Sequence, residues 1–519
     1  MRFTQNRIQR GELNLNVYNN IDANIRHVES TFKDCGDLVK RKFPVGENKD
    51  IWLYIFYIDM LTDRSFVEIN IMNRLMVQIN ISTIDTDRAF SSVFDALKDG
   101  GITTADMREC QNLDDAFVAV MSGDTVLFID GFDKAIVIAT RGFPNRGVPN
   151  ADTEVVIQGS KEAFNEVMRF NTALIRRRIR DVNLKILQKQ CGKRSSTDIA
   201  IMYLQDVVRQ DILDDVLSRI NDINVDAILD SGYIEQLIED DWISPFPQVQ
   251  ITERPDKASS AILEGRIVII VDNSPFVLIV PATLNTFFQA SEDYYQRFHI
   301  SSFVRLLRYI AGFIAVSLPG LYIATTVYHP SMIPRQLVLK MAEAREAVPF
   351  PIVVEMLIME VAFELLREAS IRLPQPVGGT MGVVGGLIIG QAAVEAGIVS
   401  PIVVIVAALT GICEFAVPHF SLVSGFRIMK YFIIFLAAIL GLYGFWLAVI
   451  AILIHLVTLK SFGIPYLFPF TSGGMNDYSD FKDTIFRLPL QFMQKRPIFS
   501  NASQSNRMNA STAKDIKKE

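Results

Sequence analysis

The charged residues of this 519-residue chain are unevenly distributed, and this constrains the fold more than any other feature. Residues 1–300 contain 33 basic and 44 acidic side chains, residues 301–470 contain 10 and 8, and residues 471–519 contain 8 and 5. Half of all residues are hydrophobic. Because residues 301–470 contain few charges, the long apolar runs lie in this block. The distribution excludes a single soluble domain and predicts a large soluble region followed by a membrane domain.

Four uncharged stretches in the middle block are long enough to cross a bilayer. A hydrocarbon core of about 30 Å requires roughly 20 apolar residues in a helix. The last stretch is longer than that, so we expect it to tilt or to bend near Gly441 or Gly444. The runs predict an α-helical multi-pass membrane domain at residues 301–470. They are Tyr309–Tyr328, Leu373–Val394, Ala396–Cys413 and Tyr431–Leu459.

A fifth segment, residues 348–372, is long enough to cross a membrane but is acidic, so four to five helices are predicted. On a helical wheel Glu360 and Glu364 lie on one side, whereas Glu355 projects from the apolar face. The segment is either an interfacial helix with a solvated acidic edge or a helix inside an oligomer whose acidic face borders water. The candidate intramembrane acidic residues are Glu355, Glu360, Glu364 and Glu414.

The soluble region contains two similar stretches that read as strand pairs. In SGDTVLFIDGFDKAIVI (122–138) and EGRIVIIVDNSPFVLIV (264–280), a glycine precedes an aspartate by seven residues. Upstream, WLYIFYID (52–59) resembles IAIMYLQD (199–206), each an apolar strand that ends on Asp. We interpret residues 50–140 and 197–281 as two copies of one small α/β unit. The alternative is chance, since short apolar strands that end on Asp before a turn are common; equal strand orders would favour duplication.

These features predict a domain organisation with an α/β soluble region ahead of the membrane helices. A basic amphipathic helix lies between the copies and is either a solvated linker or a contact for lipid headgroups or an acidic partner. The predicted parts are an N-terminal arm (1–49), subdomain 1 (50–145), linker helices (146–196), subdomain 2 (197–300), the membrane domain (301–470) and a C-terminal cytoplasmic tail (471–519).

The soluble region is expected to lie in the cytoplasm. The first residues contain no apolar signal segment, and Arg305 and Arg308 just before the first apolar run agree with the positive-inside rule. Four scattered cysteines fit a reducing compartment rather than a disulfide framework. The acidic balance of the soluble part argues against nucleic acid as a partner.

The sequence carries no recognisable motif for catalysis or for cofactor binding. The segment GKRS (192–195) resembles the end of a phosphate-binding loop, but position 187 is Leu rather than Gly and the loop rule fails. The five histidines show no metal-binding spacing, and neither a nucleophile elbow nor a dinucleotide-binding motif is found. The sequence therefore predicts a protein that is not an enzyme and has no cofactor or metal.

The segment MGVVGGLIIGQAAVEAGIVSP (381–401) carries two different helix faces. Glycines at every fourth residue form a narrow face on which helix backbones approach closely. The opposite face changes from apolar to polar along the axis, as a pore lining with a dry constriction would. The alternative is ordinary packing with a polar end near the interface. The packing residues are Gly382, Gly386 and Gly390, and the pore-lining candidates are Val384, Ile388, Gln391 and Glu395.

Several long stretches resemble the A subunits of GerA-type nutrient germinant receptors of spore-forming bacteria. The resemblance extends from about residue 50 to about residue 498. The chain departs from the family pattern at GSKEAF (159–164), where Ser160 and Ala163 replace Pro and Gly. It also departs from the pattern in the arm before residue 50. The most specific stretches are SPFPQVQITERPDKASSAILEGR (244–266), VDNSPFVLIVPATL (271–284), VPFPIVVEMLIMEVAFELLREASIRLP (348–374), GLIIGQAAVEAGIVSP (386–401) and SFGIPYLFPF (461–470).

The resemblance implies a role in spore germination at the inner spore membrane. In the family, A subunits act with a transporter-like B subunit and a lipoprotein C subunit. The resemblance implies that the B subunit is the usual nutrient binder and that the A subunit is an oligomeric, ion-conducting part that opens when nutrient binds. We therefore expect a homo-oligomer in contact with membrane lipids.

Two other functions compete with a ligand-gated channel subunit. A membrane scaffold or signal adaptor would recruit partners through its soluble half and conduct nothing. A solute carrier would show two related membrane halves, and residues 301–470 show no such repeat. Oligomeric symmetry separates the channel from the scaffold, because a pore on an axis needs the same helix from every subunit.

Overall fold

The structure of the protein, a computed structural model, describes residues 15–46, 51–73, 75–76, 107–142, 150–151, 153–372, 390–471, 478–501 and 505–507. The chain forms two compact units. Unit 1 comprises Met1–Glu239, Ile251–Pro281 and Leu490–Glu519, and unit 2 comprises Asp240–Gln250 and Ala282–Pro489.

The first half of unit 1 contains a five-stranded antiparallel sheet with strand order β1-β2-β4-β5-β3. Helices α1 and α3 pack on it through Val28, Phe117 and Val120, which are buried with the strand residues Phe56 and Phe128. The elements are α1 Ile21–Thr31, β1 Leu38–Val45, β2 Ile51–Ile58, α2 Arg64–Phe66 with a π-helical turn Val67–Met72, β3 Met107–Cys110, α3 Leu113–Met121, β4 Thr125–Ile129 and β5 Ala135–Ile138.

The second half of unit 1 repeats this arrangement. Its sheet has the order β6-β7-β9-β10-β8, which is the order of the first sheet. The predicted duplication is therefore confirmed at the level of topology. The elements are α4 Met168–Arg178, β6 Leu184–Cys191, β7 Thr197–Leu204, α5 Gln210–Asp222, α6 Ser231–Ile238, β8 Gln250–Thr252, α7 Pro255–Leu263, β9 Ile267–Val271 and β10 Val277–Val280.

The strand register corrects one predicted correspondence by a single residue. Leu53 is paired with Ile129 in the first sheet, and Ile199 is paired with Val271 in the second. Since Ile129 and Val271 directly precede the repeated aspartates, Leu53 corresponds to Ile199. Asp59 then corresponds to Gln205 and not to Asp206. The two strands are apolar on both faces, so their pattern alone does not fix the register.

The repeated aspartates hold the first helix of each copy. Asp130 Oδ1 accepts a hydrogen bond from the backbone N–H of Ile21 at 3.1 Å, and Asp272 Oδ1 accepts one from Met168 at 2.9 Å. Each carboxylate thus binds the first N–H of a helix, where free donors favour negative charge. The basic helix predicted as a linker is therefore the first helix of the second copy, equivalent to α1.

Residues near the end of the chain complete the second copy. In the first copy Gly142 N donates to Leu61 O at 3.0 Å, and Thr62 forms a β-bridge with Arg141. In the second copy, Asn501 N donates to Val207 O at 2.6 Å, and Ser500 bridges Val208. The segment at 500–501, predicted to belong to a tail, thus takes the place that residues 141–142 hold in the first copy.

Unit 2 is mainly helical. Among the described residues, two helices are long and apolar enough to cross a membrane, at 298–328 and 420–458, and the apolar helix Pro401–Phe415 is shorter. The elements are α8 Leu284–Phe288, α9 Phe298–Ile323 with a π-helical turn Ala324–Tyr328, α10 Arg335–Glu343, α11 Ile352–Arg372, α12 Pro401–Phe415, α13 Phe420–Thr458, β11 Lys460–Ser461 and β12 Ile464–Pro465.

Helix α13 reverses direction at Gly441 and is a helical hairpin rather than one bent helix. Gly441 has φ 62° and ψ −139°, a conformation that only glycine adopts easily. The ring of Phe246 lies 6.4 Å from that of Phe426 and 6.0 Å from that of His455. In a continuous helix Phe426 and His455 would be about 43 Å apart. Both arms of the hairpin therefore end on the same side, and each is near the length that spans a hydrocarbon core.

We predict that Asn501→Pro loosens the second copy and leaves the first unchanged. Proline removes the N–H that binds Val207 O, at a cost of about 1–3 kcal/mol for the buried acceptor. Hydrogen–deuterium exchange should rise in peptides around residues 205–210 and 264–268 but not around 60–64. Asn501→Ala, which keeps the N–H, is the matched control. Equal exchange in both variants would show that the segment contributes nothing.

We predict a pH-dependent contribution from Glu235 in α6. Burial, and secondarily the charges of Glu239 and Asp230, raises the pKa of Glu235 to about 7 from an ordinary value of 4.5. The folded state then holds this proton more tightly than the unfolded state. The stabilisation is complete below pH 4.5 and is lost as the pH rises through about 7.

The stability difference between the wild type and Glu235→Gln measures this contribution. In urea unfolding followed by circular dichroism, the variant should gain on the order of 1–3 kcal/mol relative to the wild type between pH 5 and pH 8. A difference that does not change with pH would contradict the assignment.

Candidate functional site

The acidic helix α11 packs against α12 and α13, and its glutamates meet cations there. Glu360, Glu364 and Arg367 follow one another at intervals of four and three residues, so they lie along one side of the helix. Arg427 and Lys430 stand three residues apart on α13 and lie opposite this stripe. The two stripes pair in antiparallel order, with Glu360 beside Lys430 and Glu364 beside Arg427.

The centre of the cluster is Lys430, which lies between two carboxylates. Its Nζ is 2.6 Å from Glu360 Oε2 and 2.8 Å from Glu414 Oε1. The side chains of Lys430, Glu360 and Glu414 are 3%, 4% and 2% exposed. Because each of these three residues comes from a different helix, one ammonium group joins α11, α12 and α13.

A second layer of charges completes the cluster. Arg367 donates to Glu414 Oε2 and, at 3.4 Å, to Glu364 Oε2. Arg427 donates to Glu364 Oε1 at 2.6 Å. Three carboxylates thus face three cations, so the formal charge of the cluster is zero. We call these six residues the ion-pair cluster: Glu360, Glu364, Arg367, Glu414, Arg427 and Lys430.

Glu355, which breaks the wheel pattern of α11, has a different role. Its side chain is buried, with Arg345 Nη2 3.1 Å from Oε1. Its Oε2 accepts a hydrogen bond at 2.8 Å from the backbone N–H of Ser400, which caps the start of α12. A carboxylate at a helix N-terminus satisfies a free donor and is favoured by the helix dipole. Glu355 therefore fixes the start of α12 against α11.

The acidic stripe of α11 is paired within the chain. The interpretation of α11 as a helix with a solvated acidic edge does not fit Glu360, because its side chain is buried. The side chain of Glu364 is about one-third exposed. The sequence does not reveal Lys430 and Arg427 as partners, because the last uncharged run begins after them, at Tyr431. A spacing signal was nevertheless present. Arg427 and Lys430 are three residues apart, and Glu360 and Glu364 are four residues apart, so both pairs lie on one side of their helices and can face each other.

The glycine-rich segment is described only in part. Gly382, Val384, Gly386 and Ile388 lie outside the described residues. Gly390 is buried, and a Cβ there would lie 3.4 Å from Val404 Cγ1 of α12. On the other side of this helical turn, the exposed side chain of Gln391 donates to Glu395 at 2.9 Å. In this turn the glycine faces protein and the polar side chains face outward.

The cluster can hold charge inside an apolar helix packing without a metal ion. No group of three or more His, Cys, Asp or Glu residues in the described part of the chain is placed to bind a metal. Among the described residues, Glu360 Oε1 and Arg427 Nε of the cluster have no hydrogen-bond partner, whereas every carboxylate has at least one cation. The arrangement therefore links three packed helices through paired charges.

The chain belongs to the GerA family of spore germination proteins. The family model described as Bacillus/Clostridium GerA spore germination protein matches residues 26–499. The match begins before residue 50, so it includes part of the predicted N-terminal arm (1–49).

Individual proteins resemble the chain over most of its length. Spore germination protein KA of Bacillus subtilis is 40% identical, over 91% of this chain and 86% of that protein. Spore germination protein A1 of Bacillus subtilis is 37% identical, over 91% and 94% respectively. The crystal structure of the N-terminal domain of the A subunit of the Bacillus megaterium spore germinant receptor GerK3 is 29% identical, with a TM-score of 0.41, over 52% of this chain and 98% of that one.

We predict that Lys430→Met destabilises unit 2 strongly. Methionine preserves volume but leaves Glu360 without its cation, and removing one partner of a buried ion pair costs about 3–5 kcal/mol. The thermal unfolding temperature of the detergent-solubilised protein should fall. Adding Glu360→Gln should recover part of the loss, because Glu414 keeps Arg367.

Lys340→Met is the matched control, since Lys340 is exposed on α10. If Lys430→Met unfolds at the same temperature as Lys340→Met, the cluster does not hold the helices together.

Proposed function

We propose that the chain is the A subunit of a spore germinant receptor and acts in spore germination. The family match over residues 26–499 supports this role. So does the relative named spore germination protein GerLA of Bacillus cereus, which is 40% identical over 80% of this chain and 84% of that protein. The proposed location is the inner spore membrane, with unit 1 on the cytoplasmic side.

The proposed partners are a transporter-like B subunit, which senses the nutrient, and a lipoprotein C subunit. The A subunit assembles with copies of itself and opens an ion pathway when the nutrient is sensed. No reaction is assigned to the chain, in keeping with a family of receptor subunits.

The polar pair Gln391 and Glu395 is the observation that supports ion conduction. Both side chains are exposed, although the turn that bears them leads into the apolar helix α12. Polar side chains at membrane depth need water or a partner. An axis shared by several subunits would provide water, with Val384 and Ile388 further along the same stripe as a dry constriction.

The ion-pair cluster supports placing the ion pathway outside the subunit core. Glu360 and Glu414 are buried and share Lys430, so neither carboxylate is available to a passing cation in this conformation. Glu355, Glu360 and Glu364 of α11 are each paired with a cation of the same subunit, so their charges are compensated without a water-filled pathway. We therefore assign the pore to the glycine-rich segment and a packing role to α11.

A non-conducting scaffold or signal adaptor is the second candidate. The exposed apolar side chains Val155 and Ile157 on unit 1 suit contacts with another protein. A channel would use a ring of Glu395 side chains, one from each subunit, to attract cations, whereas a scaffold would not. Neutralising Glu395 should therefore impair a channel and leave a scaffold unaffected.

We predict that Glu395→Gln leaves assembly intact and slows cation release. A ring of carboxylates concentrates cations at the mouth of a pore, and glutamine removes this effect. Potassium release from mutant spores in nutrient broth should be several-fold slower. Glu343→Gln, an exposed acid on α10, is the matched control.

The amount of receptor in the membrane is measured in the same spores, so that loss of assembly is separated from loss of flux. Normal release by Glu395→Gln at normal receptor levels would favour the scaffold.

A further inference from the structure

Residues 240–250 form a loop of unit 2 with a tightly bonded base. Gln248 Oε1 accepts from the backbone N–H of Asp240 and of Asp241, at 3.1 and 3.0 Å, and Gln248 Nε2 donates to Asp241 O at 2.6 Å. Asp240 Oδ2 accepts from Phe462 N at 2.6 Å. With its base fixed by one glutamine, the loop presents its tip in a defined direction.

The C-terminal side of the loop is attached to the open end of the α13 hairpin. Phe246 is buried between the two arms, and Ser244 Oγ is 2.8 Å from His455 Nε2. A Cβ on Gly425 would lie 2.5 Å from Pro245 O, so the loop touches the first arm of the hairpin directly. Gly425 and His455 lie about 5–8 Å inside the two ends of the hairpin, at 1.5 Å per residue.

Two large apolar side chains at the tip are exposed, as judged from the part of the chain that the structure describes. Trp242 is 81% exposed and Ile243 is 72% exposed. A local turn shapes the tip, since Asp241 Oδ1 accepts a hydrogen bond from Ile243 N at 3.0 Å. Trp242 stands two residues from Ser244, which limits their separation to about 7 Å. Trp242 is thereby held near the level at which the arms of α13 end.

The outer surface of the hairpin is apolar at this level and beyond it. Phe420, at the first residue of α13, and Phe435, Trp446 and Ile450 further along are all more than half exposed. Such a surface is covered by lipid when the helix spans a membrane. A tryptophan held beside the helix ends then lies where the indole ring is most stable, between hydrocarbon and headgroups.

We propose that Trp242 and Ile243 insert into the lipid interface and anchor the 240–250 loop to the membrane surface. The partner is the glycerol and upper acyl region of the bilayer. It is not an anionic headgroup, because the residues before Trp242 include Asp240 and Asp241 and supply no cation. The inference rests on membrane insertion of α13 and not on ion conduction.

The three tryptophans of the chain allow a direct test. Trp52 lies in the sheet of unit 1, Trp242 in the loop and Trp446 on the second arm of α13. Three variants that each keep one tryptophan, with the other two replaced by Phe, are reconstituted in phosphatidylcholine vesicles. Quenching is measured with lipids brominated at a shallow or at a deep acyl position, and with aqueous iodide.

The proposal expects the Trp242 variant to be quenched at least twofold more by the shallow than by the deep bromines. It also expects Trp242 to be less sensitive to iodide than Trp52. The same result in vesicles with and without anionic lipid would agree with hydrophobic anchoring. A requirement for anionic lipid would contradict it.

Two results would overturn the proposal. Quenching by iodide at least as strong as that of Trp52, without quenching by bromine, would place the loop in water. Protection from both quenchers would mean that a protein surface covers Trp242. The Trp446 variant separates these failures from failure of membrane insertion, since without insertion Trp446 is not quenched by either brominated lipid.

Discussion

The packing of the helical unit depends on charge compensation at Lys430. An isolated carboxylate inside an apolar helix packing is strongly destabilising, and so is an isolated ammonium group. Lys430 lies between Glu360 and Glu414, so that α11, α12 and α13 can bury their charges only together. This explains why a helix with four glutamates packs among apolar helices. Glu355 extends the same constraint to the start of α12.

Unit 1 also contains a buried cation that is paired with a carboxylate. The guanidinium of Arg176 in α4 is fully buried and binds Asp37 of the first copy at 2.8 and 2.9 Å. Its third bond, to Leu184 O at 2.9 Å, uses the start of β6. A bidentate pair of this kind fixes orientation as well as distance. One buried arginine therefore holds the two copies in a defined arrangement, as one lysine does for the three helices.

The repeat in unit 1 could be predicted because its glycine and its aspartate each have a structural role, at a fixed distance from each other in the sequence. Gly123 and Gly265 have φ of 93° and 92°, and Asp130 and Asp272 hold helix N-termini. The register of β2 and β7 could not be predicted, since both faces of these strands are buried. A bend near Gly441 was predicted, but the reversal of direction there and the partners Arg427 and Lys430 were not. Both depend on contacts between segments far apart in sequence, and an apolar run counted residue by residue ends at the first charge.

An image of the receptor purified from spore membranes, at side-chain resolution, tests the proposed channel most directly. We expect several copies of the chain around one axis, with Gln391 and Glu395 facing that axis. Within each copy Lys430 should remain between Glu360 and Glu414. A single copy per receptor, or a ring in which Gln391 and Glu395 face lipid and the ion-pair cluster faces the axis, would contradict it.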